Sequence, residues 1–194
     1  MTHHPRIVMA TVDRGPRHNY VHASIRSLYE ASPDAPPVTL FVGSPSVEFL
    51  GALAQDERLT VVTTSRAEWA ETVEPMTATA RAAWNLNRAI AYAEGDGVIL
   101  LEDDVVFARD WYDTIVRIGA VCFAKHGQES FLSGYRSYEY LRNEQDGYGQ
   151  YARPFFASLC VYLTEAARLI AVEFTKDSAP FDIALGSCRL GMYS

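Results

Sequence analysis

Glu102, Asp103 and Asp104 stand directly after Val98-Ile-Leu-Leu101, an unbroken apolar run of the kind found in strands buried on both faces. Carboxylates at the end of such a strand lie beside low-dielectric surroundings and repel one another, so a positive group belongs among them. Strand alternation sends Glu102 and Asp104 to one side and Asp103 to the other, which lets two carboxylates face a single cation. Hard oxygen ligands with no histidine or cysteine nearby suit Mg2+ or Mn2+, ions that take one or two carboxylates and complete their shell with water and substrate phosphates. The plainer alternative is a solvated strand end that caps a turn. Turns rarely carry three acids straight after four aliphatics, which favours the cation site. An aspartyl-phosphate phosphatase is disfavoured, because its acidic motif belongs on the first strand, where this chain has Thr11-Val-Asp13, and a receiver domain is disfavoured as well.

The other reactive side chains add no second centre. Cys122, Cys160 and Cys188 fall in no metal-ligand spacing and read as reduced, structural thiols. His3, His4, His18, His22 and His126 pair with no cysteine or serine in a nucleophile arrangement. With 17 basic against 24 acidic residues, the formal charge of −7 disfavours nucleic acid and anionic membranes as partners. Basic charge is nearly all arginine, whose planar fork suits phosphate, although a GC-rich genome produces the same bias. The apolar run Ile7 to Val12 is too short for a signal-peptide core, and no stretch approaches the roughly 20 apolar residues of a membrane helix. The expectation is a cytoplasmic protein with no membrane span.

The elements that position the acids alternate in type. Arg6 to Thr11, Val38 to Val42 and Leu59 to Thr63 read as strands, with a helix on Val21, Ile25, Leu28 and Tyr29 after the first and a short one on Val47, Leu50 and Leu53 after the second. Thr77 to Glu94 is alanine-rich and uninterrupted by Gly or Pro, with Ala82, Leu86, Ile90 and Ala93 along one side, and predicts a long helix before the acidic strand. Beyond it, Trp111 to Lys125, Thr164 to Phe174 and Asp182 to Leu190 read as helices, and Ser130 to Ser133 and Phe155 to Leu163 as strands. The fold class is α/β, a mixed, mainly parallel Rossmann-like sheet flanked by helices, which binds ligands outside the carboxyl ends of its strands. At 194 residues with 48% hydrophobic content, one domain over 1–194 is the default.

Val98-Ile-Leu-Leu-Glu-Asp-Asp-Val-Val-Phe107, followed by Asp110-Trp111, resembles the DxD-type motif of GT-A-fold glycosyltransferases in the Leu-Glu-Asp-Asp form. That form occurs in lipopolysaccharide-type enzymes and in the N-acetylglucosaminyltransferase IV group. Ala82 to Ala93 is similar to the helix before that motif, and Ala10-Thr-Val-Asp-Arg14 to the first nucleotide-binding turn. The resemblance covers about residues 1–115, a nucleotide-sugar-binding half; about 116–194 would form the acceptor side.

The resemblance implies a nucleotide-sugar donor, a UDP-sugar before others, whose diphosphate is bridged to the protein by Mn2+ or Mg2+. Asp104 then takes the place of the most consistent metal ligand, Glu102 is a second ligand, one that acts through water, or a ribose contact, and Asp103 joins the residues that bind the nucleotide-sugar. Thr11 and Val12 would cradle the base, and Asn85 and Asn87 could touch base or ribose. Arg14 and Arg81 are candidates for stabilising the leaving diphosphate; an uninvolved surface arginine is the alternative for each. An inverting enzyme, the stereochemistry expected here, needs a carboxylate base for a carbohydrate or other hydroxyl acceptor. Asp182, following Ala179-Pro-Phe181, fills that place by analogy, unless it serves only as a helix cap; Asp146 and Glu139 are reserves. Six of the eleven tyrosines lie between Gly134 and Leu163 and could stack on sugar rings. The rival readings are a sugar-phosphate nucleotidyltransferase, whose glycine-rich first loop is missing here, and a non-catalytic nucleotide-sugar-binding protein of the same fold.

Overall fold

Short runs of apolar and β-branched residues build the half of the sheet that carries the acids. β1 (Arg6–Thr11) pairs in parallel with β2 (Val38–Val42) on one side and with β4 (Val98–Glu102) on the other, and β2 carries β3 (Leu59–Val62) at the edge. The computed structural model describes residues 4–15, 18–93, 97–134, 141–145, 148–151, 160–175, 181, 184–185 and 190–193. Among these, β5 (Ser130–Ser133), β6 (Leu141–Gln145), β7 (Tyr148–Tyr151), β8 (Cys160–Leu163) and β9 (Gly191–Tyr193) extend the same sheet to the order β3-β2-β1-β4-β8-β5-β9-β7-β6. β8 runs antiparallel to both β4 and β5, while β5 and β9 are parallel, so the sheet is mixed.

The period-2 alternation of the strands sorts side chains between two helical layers. Ile7, Met9, Ile99 and Leu101 meet α1 (Val21–Ala31) and α4 (Trp111–His126) through Ile25, Leu28 and Ile115. Val8, Ala10 and Leu100 meet α3 (Ala78–Tyr92) and α5 (Glu165–Thr175) through Ala83, Ile90 and Ala167. In α3 the buried stripe falls on Ala83, Leu86, Ala89 and Ile90, one position round from the expected Ala82, which lies exposed. Thr77 caps this helix by accepting from the Ala80 N–H at 3.3 Å, and Gly127 closes α4 with φ +92. Lys125 and His126 sit in the last turn of α4, where positive charge suits the helix dipole.

Three features differ from the sequence expectation. The short helix after β2 is a 3-10 segment (Glu48–Gln55) broken at Gly51. A one-turn α2 (Arg66–Glu68), capped by Ser65, runs into a π-helical turn (Trp69–Val73) where no element was expected, because its acids and single Trp show no periodicity. The β6–β7 hairpin occupies part of the tyrosine-rich segment. Most of the expected final helix, Asp182 to Leu190, and residues 155–159 of the expected strand lie outside the described residues.

Candidate functional site

β1 and β4 end side by side, with Ala10 in register with Glu102, so the loop after β1 faces the acids. The alternation that sends Leu101 toward α1 sends Glu102 toward α3 and returns Asp103 to the α1 side, beside Thr11. Asp103 is 1% exposed and is not bare. It accepts from Thr11 Oγ1 at 2.5 Å, and Arg14 Nη1 donates to its two oxygens at 2.6 and 2.5 Å. Partial burial works against the Arg14 charge, but the bond to Asp103 and the fields of Asp103, Asp104 and Glu102 outweigh it and raise the pKa of the guanidinium. The Arg14 backbone is fixed as well: its N–H donates to Asn19 Oδ1 at 2.9 Å, and Asp13 Oδ1 accepts from the Gly15 N–H at 2.8 Å and from Asn19 Nδ2 at 3.2 Å.

The acid-bearing turn is stitched to α1. Ser24 Oγ lies 2.7 and 2.8 Å from the carbonyl oxygens of Asp103 and Val105 and accepts from the Val105 N–H at 3.1 Å. Ser27 Oγ accepts from the Phe107 N–H at 2.8 Å, the Leu28 carbonyl from Trp111 Nε1 at 3.2 Å, and the Ala31 carbonyl from the Asp110 N–H at 2.8 Å. Ser24 belongs to no motif that marks it in the sequence. Its signal is a serine inside the apolar stripe of a helix, where burial at 2% exposure demands a partner.

On the other face, α3 sends Asn85 between the ends of β1 and β2. Its Nδ2 donates to the carbonyls of Thr11 and Phe41, both at 3.1 Å, which fixes the amide orientation because a flipped oxygen would face two acceptors. Asn85 Oδ1 is buried without a partner among the described residues. Asn85, Ala82, Thr11, Val12, Arg14 and Glu102 line a small cavity of about 40 Å³ at the strand ends, with Asp103 in its wall. Gly43 closes this region, since a Cβ there would lie 2.9 Å from Val12 Cγ1 and 3.2 Å from the Asn85 amide.

Two sequence candidates go elsewhere. Arg81 donates through Nε to the Val73 carbonyl at 3.0 Å and through Nη2 to the Glu74 carbonyl, and its guanidinium covers Trp69, so it holds the π-helical turn to α3 rather than lining the cavity. Asn87 points to α5, donating to the Val172 carbonyl at 3.0 Å and Thr175 Oγ1 at 2.8 Å. Both sit on α3 but on turns facing other neighbours, a distinction that residue type does not carry. Asp182, Asp146 and Glu139 lie outside the described residues, as do the side chains of the tyrosine segment up to Tyr151. Cys122 and Cys160 are buried free thiols, each pushed up to about 12 by burial, which matches the structural role expected of them; Cys188 lies outside the described residues.

No protein-family model matches the sequence, and no curated protein matches it. Solved structures do resemble it. GalNAc-T7 with UDP, GalNAc and Mn2+ aligns over 97% of this chain with a TM-score of 0.63 and 11% identity. The mannosyltransferase PcManGT from Pyrobaculum calidifontis, in complex with GDP-Man and Mn2+, aligns over 83% at 0.52 and 18%, and TarS of S. aureus over 96% at 0.55 and 12%. The chain has the GT-A fold. It spans 41%, 44% and 34% of those three chains, less than half of each.

Of the other two acids in this GT-A sheet, Glu102 is half-buried at the cavity and Asp104 is exposed at the turn. Among the described residues no group of three or more His, Cys, Asp or Glu is arranged to hold a metal. Two oxygen donors at one strand end fit a partial shell for Mg2+ or Mn2+, whose remaining positions belong to water and phosphate. Beyond the turn, Val105, Phe107, Trp111, Ile115 and Leu132 line an apolar groove of about 300 Å³. No helix among the described residues is long and apolar enough to cross a membrane.

Proposed function

We propose that this chain is the catalytic region of a metal-dependent glycosyltransferase that moves a sugar from a nucleoside-diphosphate donor, a UDP-sugar before others, to an acceptor hydroxyl with inversion. The observation that carries this is the gathering of three carboxylates around one arginine at the carboxyl ends of β1 and β4: Asp103 bonds Arg14, and the fields of Asp104 and Glu102 add to the stabilisation of its charge. Solved proteins of similar fold hold UDP or GDP-Man together with Mn2+, which supports extending a diphosphate donor to this chain.

Asp104 and Glu102 would hold Mn2+ or Mg2+, which when bound neutralises charge on the leaving diphosphate. Arg14, cationic throughout the physiological range, would bind diphosphate oxygens as their charge grows. Thr11 and Val12 would present backbone groups to the base, with Asn85 holding their strand end in place. Asp182 would take the proton of the attacking hydroxyl from the 116–194 side. Arg81 has no part in this scheme, because backbone carbonyls already engage it.

Calorimetric titration with UDP, GDP and their sugars, with and without Mn2+, tests the reading. Metal-dependent binding of a diphosphate, with sugar transfer or donor hydrolysis, is expected. Binding without turnover would convert the proposal to a non-catalytic nucleotide-sugar-binding protein, and absence of binding would end it.

A further inference from the structure

The middle acid of the cluster is the most buried, yet it sits at a site where carboxylates would be expected to reach for a cation. Its oxygens are already committed, to Thr11 Oγ1 and to a single nitrogen of Arg14. Arg14 spends only Nη1 on Asp103; its Nε and Nη2 have no partner among the described residues, and the side chain remains 36% exposed. That leaves one face of the guanidinium, the Nε–Nη2 fork, whose spacing matches two oxygens of a phosphate. The turn from Asp13 to Asn19 fixes the arginine's backbone, and Asn85 fixes Thr11 through its carbonyl, so the bonds run from α3 to Thr11, to Asp103 and to Arg14.

We infer that Asp103 is a positioning residue and not a metal ligand: it holds Arg14 by Nη1 so that the Nε–Nη2 edge meets the donor diphosphate. This rests on the diphosphate-donor reading. Asp103 therefore acts on the phosphate only through Arg14, and its removal should matter no further once Arg14 is gone.

The test measures two affinities for wild type, Asp103→Asn, Arg14→Ala and the double variant: Mn2+ alone, by water-proton relaxation, and UDP in saturating Mn2+, by calorimetry. Asp103→Asn and Arg14→Ala should each weaken UDP by about tenfold, the scale of a lost hydrogen bond to a charged group, and the double variant should be no weaker than Arg14→Ala. Mn2+ affinity should be unchanged in Asp103→Asn and lost in Asp104→Ala. Additive losses of UDP affinity, or a fall in Mn2+ affinity in Asp103→Asn, would overturn the positioning role while leaving the donor reading intact. Wild type that binds no nucleoside diphosphate would overturn the donor reading, and this inference with it. If Asp103→Asn does not fold, Thr11→Val replaces it. That change keeps the charge pair and removes one bond to Asp103, and it should give a smaller loss of UDP affinity that again vanishes in the Arg14→Ala background; a loss that persists there overturns the inference.

Discussion

Ser24→Ala removes a hydroxyl that bonds the acid-bearing turn at both ends, at 2.7 Å to the Asp103 carbonyl and 3.1 Å from the Val105 N–H. An unpaired buried polar group costs about 1–3 kcal/mol. Val105 is only half-buried, so water can rescue part of its loss, and one full penalty of about 2 kcal/mol is the reasonable sum. Alanine returns about 0.5 kcal/mol through its higher helix propensity in α1. The net loss, about 1.5 kcal/mol, lowers Tm by about 3–6 °C for a chain of this size. Ser27→Ala, which removes one bond from the half-buried Phe107 N–H, should lose less than half as much. Thermal unfolding followed by circular dichroism measures both. A Ser24→Ala variant as stable as wild type, or more stable as propensity alone would give, refutes the claim that α1 restrains the turn.

Gly43→Ala should destabilise by about 1–3 kcal/mol through overpacking, and adding Val12→Ala should recover much of it, since the new Cβ meets Val12 Cγ1 at 2.9 Å; a double variant no more stable than the single one in a thermal melt would place the strain elsewhere. Of the three cysteines, Cys122 and Cys160, each with a pKa near 12, should stay unreactive to a thiol reagent at pH 8 in the native protein and react on denaturation. Mass-spectrometric mapping that finds either one labelled in the folded state contradicts that burial. Arg58, through Nε, Nη2 and its own backbone N–H, holds the Asp56 carboxyl down to about 2. Because the folded value lies below the unfolded one, this contact contributes above pH about 4 and fades as pH falls toward 2. A carboxyl carbon NMR titration with a midpoint near the ordinary value of about 3.9 would show that the Asp56–Arg58 fork is absent in solution.

Much of this was legible in residue order. The apolar runs of β1, β2 and β4 and the alanine-rich α3 declare themselves by local pattern, and the acids after Leu101 locate the strand end where ligands bind. What stayed hidden depends on pairing across the chain. Nothing in Cys160–Leu163 says that it inserts antiparallel between β4 and β5, because a strand buried on both faces reads alike in either direction. Asp103 and Asp104 are identical in type, yet one is buried under Arg14 and the other exposed, a division set by a partner 89 residues away. Likewise residue type alone does not separate Arg14 from Arg81, whose guanidinium is taken by the Val73 and Glu74 carbonyls. Asn85 and Asn87 were separated by the rotation of α3, which turns one to the strand ends and the other to α5.

The central claim is that the end of β4 holds a divalent ion through Glu102 and Asp104 while Asp103 stays with Arg14. Crystals grown with Mn2+ and UDP, measured at the manganese absorption edge, address it directly. The expected result is an anomalous peak on the Asp104 carboxylate, next to a diphosphate that Arg14 also touches, with Asp103 still bonded to Thr11 and Arg14. Manganese bound to Asp103, or absent from this strand end while UDP sits elsewhere, would contradict it.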